Sequence, residues 1–116
     1  MANYVHEINL ELGYPSADEA LRRLRSELDA ARRLHASAMK VIHGYGSSGK
    51  GGRIRTAGRK LLQEELAQGH IDAVIFGEDF SIFDETTRRA FSRCGALRQD
   101  PDLDRYNSGV TFVIFP

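Results

Sequence analysis

The sequence predicts an α/β domain in which a four-stranded mixed sheet and two main helices form two layers. Short apolar runs typical of strands alternate with longer segments whose apolar residues recur at helical spacing. The predicted order is strand, helix, strand, helix, strand, strand (β-α-β-α-β-β), with a short extra helix before the last strand. The chain of 116 residues suffices for one domain with a modest core and is too short for two. We therefore expect residues 1–116 to form a single domain.

The first strand and the first helix have clear sequence signals. Residues 5–10 alternate in polarity as a half-buried strand does. Ser16 is a predicted N-cap, and Glu19 three residues later completes a capping box. The helix should run to about His35, with an apolar stripe formed by Leu21, Leu24, Leu28 and Ala31.

The second half of the alternation comprises a strand, a helix and another strand. Residues 38–42 form the second predicted strand. The second helix should begin near Arg53 and end near Gly69, a plausible C′ residue, and its apolar stripe is Ile54, Ala57, Leu61 and Leu62. The run 71–77 is nearly all apolar and is therefore predicted to be a central strand, covered on both faces. Helical crossovers between these strands favour a largely parallel arrangement.

The segment 78–108 precedes the last strand, which is predicted over residues 109–115. Asp84 could cap a short helix that Gly95 ends, with Cys94 as a small core residue. The three aspartates around Pro101 are predicted to form an exposed, solvated turn. They lack the spacing of a calcium-binding loop, so no metal site is predicted here.

A glycine-rich stretch between the second strand and the second helix is the most informative part of the chain. It contains five glycines in nine residues, over 44–52, and the cations Lys50, Arg53 and Arg55. Glycines let the backbone approach a ligand closely, and a helix N-terminus favours an anion. Because cations at a helix N-terminus oppose the helix dipole, they indicate an anionic partner such as phosphate.

Two known phosphate-binding patterns match this loop only in part. The dinucleotide fingerprint fails because the acidic residue expected about 20 positions later falls inside the predicted helix. A P-loop pattern has the right spacing to Lys50, but Gly51 stands where a hydroxyl should bind Mg²⁺. The predicted helix also begins too late for a P-loop. The acidic end of the third strand, at Glu78 and Asp79, keeps this alternative open.

The motif that fits best resembles the His-Gly-x-Gly signature of small MutS-related (Smr) domains; it consists of Ile42-His43-Gly44-Tyr45-Gly46 followed by Arg53-Ile54-Arg55. The resemblance implies a compact α/β fold with an antiparallel final strand pair and nucleic-acid binding, with DNA or RNA as partner. Some members of the family are also nicking endonucleases. We expect no cofactor here, and a divalent metal only if this chain is a nuclease. An ordinary Smr domain spans the region corresponding to 78–108 more briefly, so this segment is predicted to be an insertion.

The catalytic residues implied by the resemblance are incomplete in this chain. Smr domains that cut nucleic acid carry a first-strand motif of the type Leu-Asp-x-His-Gly, and here Asn9 replaces the Asp and Glu11 replaces the His. Because Asn cannot act as a carboxylate base or as a strong metal ligand, we expect weak or absent nuclease turnover. His43 and Glu11 remain as catalytic candidates. His43 could contact phosphate or could bond a backbone carbonyl, and the sequence leaves both open.

The predicted binding residues all lie in or beside the glycine-rich loop: His43, Gly44, Tyr45, Gly46, Ser47, Lys50, Arg53 and Arg55. Tyr45 could stack on an unpaired base or pack against the sheet. A binder of a small phosphate compound or nucleotide, using the same loop, is the alternative function.

Charge is distributed unevenly along a chain whose formal net charge is zero. Residues 22–60 hold eleven of the sixteen Lys and Arg residues but only two acids, which favours a positive face. Extended nucleic-acid binding would need the first-helix arginines near the loop, namely Arg22, Arg25, Arg32 and Arg33. If they face away from the loop, the small-phosphate alternative gains. With a single cysteine and no long apolar run, we expect a cytoplasmic protein without membrane contact.

Overall fold

The computed structural model describes residues 3–45 and 49–116, without the side chains of residues 49–51. The sheet contains β1 (Val5–Asn9), β2 (Ala38–Ile42), β3 (Ala73–Phe76) and β4 (Val110–Ile114). The helices are α1 (Ala17–Arg33), α2 (Gly49–Ala67) and α3 (Glu85–Arg93), and 3₁₀ turns occupy Gly77–Asp79 and Gly95–Gln99. This order confirms the predicted alternation of strands and helices.

The four strands form one mixed sheet in the order β1-β2-β4-β3. β1 and β2 are parallel, whereas β4 is antiparallel to both of its neighbours, which confirms the antiparallel final pair. The prediction of a central third strand was wrong, because β3 lies at an edge of the sheet. Its sequence is apolar because both of its faces are covered: Val74 packs against the hydrophobic cluster on one face of the sheet, and Ile75 belongs to the cluster on the other face. Burial of two faces does not reveal whether both hydrogen-bonding edges are paired.

The helix ends follow the sequence signals at three of the predicted positions. The Ser16 hydroxyl accepts from the Glu19 amide and the Glu19 carboxylate accepts from the Ser16 amide, both at 3.2 Å, which confirms the capping box. Gly69 takes a positive φ of 77° after α2, as a C′ residue should. The Asp84 carboxylate accepts from the Thr87 amide at 2.9 Å and caps α3.

The start of α2 differs from the prediction. The helix begins at Gly49, not near Arg53, so that three glycines lie in its first turns. A glycine costs a helix only about 1 kcal/mol relative to alanine, and the surrounding structure can outweigh this penalty. The late helix start is therefore no longer an argument against a P-loop, whereas Gly51 in place of a hydroxyl residue still is.

Two hydrophobic clusters cover the two faces of the sheet. α1 and α2 pack on one face through Leu24, Leu28 and Leu62, among others. α3 and the 3₁₀ turn after it pack on the other face, around Phe80 and Phe112. The segment 78–108 thus adds a thin third layer to the two that were predicted. Cys94 is fully buried in this second cluster, as expected of a small core residue.

The prediction that the aspartates around Pro101 form a solvated turn was wrong for two of them. Lys40 of β2 points to the second face of the sheet and is only 4% exposed. Its ammonium contacts Asp100 at 3.0 Å and Asp102 at 2.6 Å. Burial alone would lower the pKa of Lys40, but the hydrogen bonds and charges of the two aspartates outweigh it and raise that pKa. A buried ammonium needs such partners, and the acidic turn supplies them.

Candidate nucleic-acid interface

The glycine-rich loop lies at the end of the strands where β1, β2 and β3 end and β4 begins. This is not the side edge of the sheet that β3 forms. This arrangement follows from the two helical crossovers, which place the ends of parallel strands at the same edge. The segments are joined by backbone hydrogen bonds, such as that from the Leu10 amide to the Ile42 carbonyl at 2.8 Å. We call this region the loop edge; it comprises residues 9–14, 43–45, 49–55, 77–84 and 102–109.

Gly44 is the point where the loop leaves the sheet. Its φ is 78°, in the left-handed region that favours glycine. The carboxylate of Glu11 lies directly against it, where a Cβ would otherwise project. The amides of His43 and Gly44 both donate to the Gly109 carbonyl at 3.0 Å, which fixes the loop to the start of β4. A side chain at position 44 would therefore disturb both the backbone and its neighbour.

His43 is buried and uses both ring nitrogens inside the protein. Nδ1 lies 3.0 Å from the Gly44 carbonyl, which can only accept, so Nδ1 carries the proton. Nε2 therefore accepts from the Thr111 hydroxyl at 2.8 Å. Burial and the nearby charges of Arg59 and Arg55 lower the pKa of His43 to about 4. The imidazole is neutral at physiological pH, and its contacts favour a role in holding the loop over direct phosphate contact.

Arg59 on α2 organises the interior of the loop edge, and sequence analysis did not identify it as a site residue. Its guanidinium binds both carboxylate oxygens of Glu78, at 2.9 and 2.7 Å, and its Nε donates to Thr111 at 2.9 Å. It also lies 4.0 Å from the centroid of the Phe76 ring. The hydrogen bonds from Arg59 outweigh burial and lower the pKa of Glu78. No sequence pattern pairs these residues, because their contact arises only when α2 crosses the sheet.

The Arg59 network also bears on the P-loop alternative. That reading would use the acidic end of the third strand to hold Mg²⁺. Both oxygens of Glu78 are instead engaged by Arg59. Within the described part of the chain, no group of three His, Cys, Asp or Glu side chains could hold a metal ion.

The two catalytic candidates differ in exposure. His43 is buried, whereas Glu11 is exposed and its carboxylate lies against Gly44. Asn9, at the place of the missing acid, accepts from the Glu11 amide at 2.9 Å and thereby shapes the turn after β1. Glu11 is thus the only one of the two candidates that faces solvent.

The predicted phosphate-binding cations begin at the first turns of α2. Arg53 is exposed, and Arg55 is partly buried close enough to His43 and Glu78 to influence both of their pKa values. Tyr45 is 61% exposed at the end of the described loop. Gly46, Ser47 and the side chain of Lys50 lie outside the described residues.

Two of the α1 arginines do not extend this basic surface. α1 has 17 residues and so is about 25 Å long, and Arg32 and Arg33 lie in its last turn, at the opposite edge of the sheet. Arg32 is also paired with Asp29 at 3.5 Å and with Glu65 at 3.3 Å. The continuous positive face predicted from the charge distribution is therefore shorter than expected.

Comparison with known proteins agrees with this architecture. The family model of the Smr domain matches residues 10–78, which include β2, the glycine-rich loop, α2 and β3. The crystal structure of the Smr domain of Thermus thermophilus MutS2 superposes with a TM-score of 0.58 at 21% identity, covering 96% of this chain and 98% of that one. At this identity the likeness shows a shared fold. No curated protein matches the chain. None of the described helices is long and apolar enough to cross a membrane.

Proposed function

Because the chain belongs to the Smr domain family, we propose that it binds nucleic acid at the loop edge through the phosphate backbone. The observation that carries this proposal is the contrast between the two long helices. The first turn of α1 contains Asp18 and Glu19, which complement the helix dipole. The first turn of α2 contains no acid and is followed by Arg53 and Arg55. The first turn of α2 thus contributes no acid of its own to its positive end, and a phosphate would supply the anion.

Each predicted residue has a specific role in this proposal. Arg53 and Arg55, together with Lys50, would neutralise phosphates, and backbone amides of Gly46 and Ser47 would approach the oxygens closely. Gly44 would provide the positive φ that the loop requires, and His43 would hold the loop through its hydrogen bonds to the Gly44 carbonyl and Thr111. Such contacts bind the backbone without reading sequence, so the proposed partner is DNA or RNA.

Cleavage is proposed to be weak or absent. A nicking reaction needs a group that accepts or donates a proton near the scissile phosphate. His43 is buried and doubly hydrogen bonded, and Asn9 offers no carboxylate. Glu11 is the remaining candidate, and any activity through it would require a divalent metal that binds with help from the substrate phosphate.

A small phosphate compound or nucleotide is the second candidate ligand. The observation in its favour is the position of the α1 arginines, two of which lie at the edge opposite the loop. A short basic surface suffices for one or two phosphates, whereas a long duplex would benefit from a larger one.

The salt dependence of binding tests the proposal. Each neutralised phosphate contributes a slope of about −0.9 on duplex DNA, or about −0.7 on a single strand, to log K against log salt. The Arg53→Ala/Arg55→Ala variant should bind more weakly and flatten the slope by up to two such contributions. Arg25→Ala/Arg33→Ala, which removes the same charge from exposed α1 positions, is the matched control and should change little.

Three results would count against the proposal or redirect it. An unchanged slope in a folded Arg53→Ala/Arg55→Ala variant would place the phosphate contacts elsewhere. An equal loss in the α1 control would indicate a diffuse charge effect. Displacement of the oligonucleotide by inorganic phosphate or a nucleoside triphosphate at micromolar concentration would favour the small-ligand alternative.

A further inference from the structure

Exposed aromatic side chains are concentrated at the loop edge, one in the segment next to each strand. Tyr14 follows β1, Tyr45 follows β2, Tyr106 precedes β4 and Phe83 follows β3. In the order of the strands across the sheet, their exposed fractions are 93%, 61%, 70% and 82%. Among the described residues, the exposed Tyr4 and Leu34 lie at the opposite edge, so most of the exposed large apolar side chains share the edge with the loop.

Contacts within the loop edge join Tyr14 to Tyr45. The Tyr14 amide donates to the Glu11 carbonyl at 3.1 Å, and the Glu11 carboxylate lies against Gly44, the residue before Tyr45. The Tyr45 ring in turn approaches Gly109 at the start of β4, within 3.4 Å of the point where a Cβ would stand. The turn that carries Tyr14 therefore contacts Gly44, the residue that precedes Tyr45.

Further contacts continue the row towards β3. Asn107 Oδ1 accepts from the backbone amide of the residue before β4 at 2.9 Å. Asp104 Oδ1 accepts from the Ile82 amide at 3.1 Å. Tyr106 lies between these two anchors, and Phe83 follows Ile82. Each of the four rings is thus attached to a hydrogen-bonded turn of the same edge.

The backbone at two of these tyrosines is difficult to explain by stability alone. Tyr14 has a φ of 51° and Tyr106 a φ of 55°, in the left-handed region that a bulky residue rarely adopts. Glycine would fit there without strain, and an exposed ring gains little from packing. The tyrosines therefore point to an interaction outside the folded chain.

We propose that the loop edge binds single-stranded nucleic acid, with Tyr14, Tyr45, Tyr106 and Phe83 stacking on unpaired bases while the start of α2 holds the phosphates. This inference rests on the proposed function and names its substrate class. Aromatic rings beside cations form the usual platform for unpaired bases, because every base has a π face. Duplex bases are already stacked on each other, so exposed rings offer them little.

The dimensions of the edge fit a short single strand. Neighbouring strands lie about 4.8 Å apart, so the ends of the four strands span roughly 14 Å. An extended single strand covers that distance with a few nucleotides. The acidic Glu11 lies among the rings, and its charge disfavours a phosphate directly over Gly44, so we place bases on the rings and phosphates towards Arg53 and Arg55.

The test compares probes that differ only in their bases. Fluorescence anisotropy on the full chain would use labelled oligothymidylate and oligouridylate of about 12 nucleotides, an abasic strand of equal length, and a duplex of equal length. The abasic strand keeps the phosphates but cannot stack. We expect it to bind at least tenfold more weakly than either base-containing strand, and the duplex to bind more weakly too.

Ring variants test which residues stack. Tyr14→Gly and Tyr106→Gly relieve the left-handed backbone, so their melting temperatures should hold or rise while affinity falls about tenfold each, as expected for one lost stacking contact. Tyr14→Phe and Tyr106→Phe keep the ring and should bind like the wild type. Leu34→Ala, at the opposite edge, is the control for loss of an exposed apolar side chain.

The outcomes separate this inference from the proposed function. Equal affinity for abasic and base-containing strands, with binding still lost in Arg53→Ala/Arg55→Ala, would overturn the stacking inference and leave phosphate binding intact. Tighter binding to the duplex would do the same. No binding to any strand would overturn both, and binding of an apolar peptide that depends on the same rings would assign the edge to a protein partner instead.

Discussion

Replacing Lys40 by methionine should strongly destabilise the domain, because Lys40 attaches the acidic turn to the sheet. Methionine preserves the apolar stem but removes the ammonium. Asp100 and Asp102, whose side chains are 12% and 19% exposed, would then keep two negative charges without a counter-ion. Breaking a buried ion pair on one side costs about 3–5 kcal/mol. In a domain of this size we expect the melting temperature to fall by roughly 10–20 °C.

The pH dependence of this effect has a definite sign. In the wild type, burial would raise the pKa of Asp102, but the hydrogen bonds from Lys40 and Asn107 outweigh it and lower that pKa. The stability from this group is therefore present at neutral pH and is lost as pH falls through the lowered pKa. Without Lys40, its hydrogen bond and its charge no longer oppose burial, so the variant should gain less stability than the wild type as pH rises. The two proteins should therefore differ least in acid, below the lowered pKa of Asp102, where the carboxyl groups are protonated in both.

Urea unfolding followed by circular dichroism at neutral pH and at about pH 3 measures these changes. The triple variant Lys40→Met/Asp100→Asn/Asp102→Asn is the matched control, since removing all the charges of a buried pair is often close to neutral. Nucleic-acid affinity should also fall in Lys40→Met, because Asp102 accepts from Asn107 at 2.8 Å and Asn107 holds the start of β4. A Lys40→Met protein within about 1 kcal/mol of the wild type at pH 7 would refute this reasoning.

Three further predictions concern the residues around Gly44. The pKa of His43 is lowered to about 4, so its contribution to stability is present above the unfolded value of 6.5 and is lost as pH falls towards 4, by up to about 3 kcal/mol. His43→Gln should remove this acid-dependent loss from unfolding curves. An unchanged curve would contradict the assignment. Thr111→Val removes the shared partner of His43 and Arg59, so chemical denaturation should show a loss of about 1–3 kcal/mol, whereas a neutral effect would show that the network is dispensable. Glu11→Gln removes a negative charge beside the loop and should tighten nucleic-acid binding at low salt, with the difference vanishing at high salt; weaker binding would place Glu11 in a contact of its own.

Local signals in the sequence predicted much of the fold. The Ser16 capping box, the Gly69 terminus and the Asp84 cap each depend on residues within a few positions of one another, and all three are present. The glycine-rich stretch was likewise recognisable from its own composition, and Gly44 takes the positive φ that glycine favours. The antiparallel final pair came from the resemblance to the Smr family.

The remaining features depend on contacts between residues that are distant along the chain. The position of β3 at the sheet edge is set by β4, which inserts between it and β2. The acidic turn looked solvated because its counter-ion, Lys40, lies sixty residues away. Arg59 was missed for the same reason, since its partners Glu78 and Thr111 are brought to it only by the complete sheet.

The most direct test of the account is a nuclear magnetic resonance titration of the labelled chain with a short oligothymidylate. Binding at the loop edge predicts that the backbone amides of Gly44, Tyr45 and Arg53 shift with the added strand. The amides of Ala36 and His70, at the opposite edge beside Arg32, should stay unchanged. Shifts confined to that opposite edge, with Gly44 and Arg53 unaffected, would contradict the central claim that the glycine-rich loop and the start of α2 bind nucleic acid.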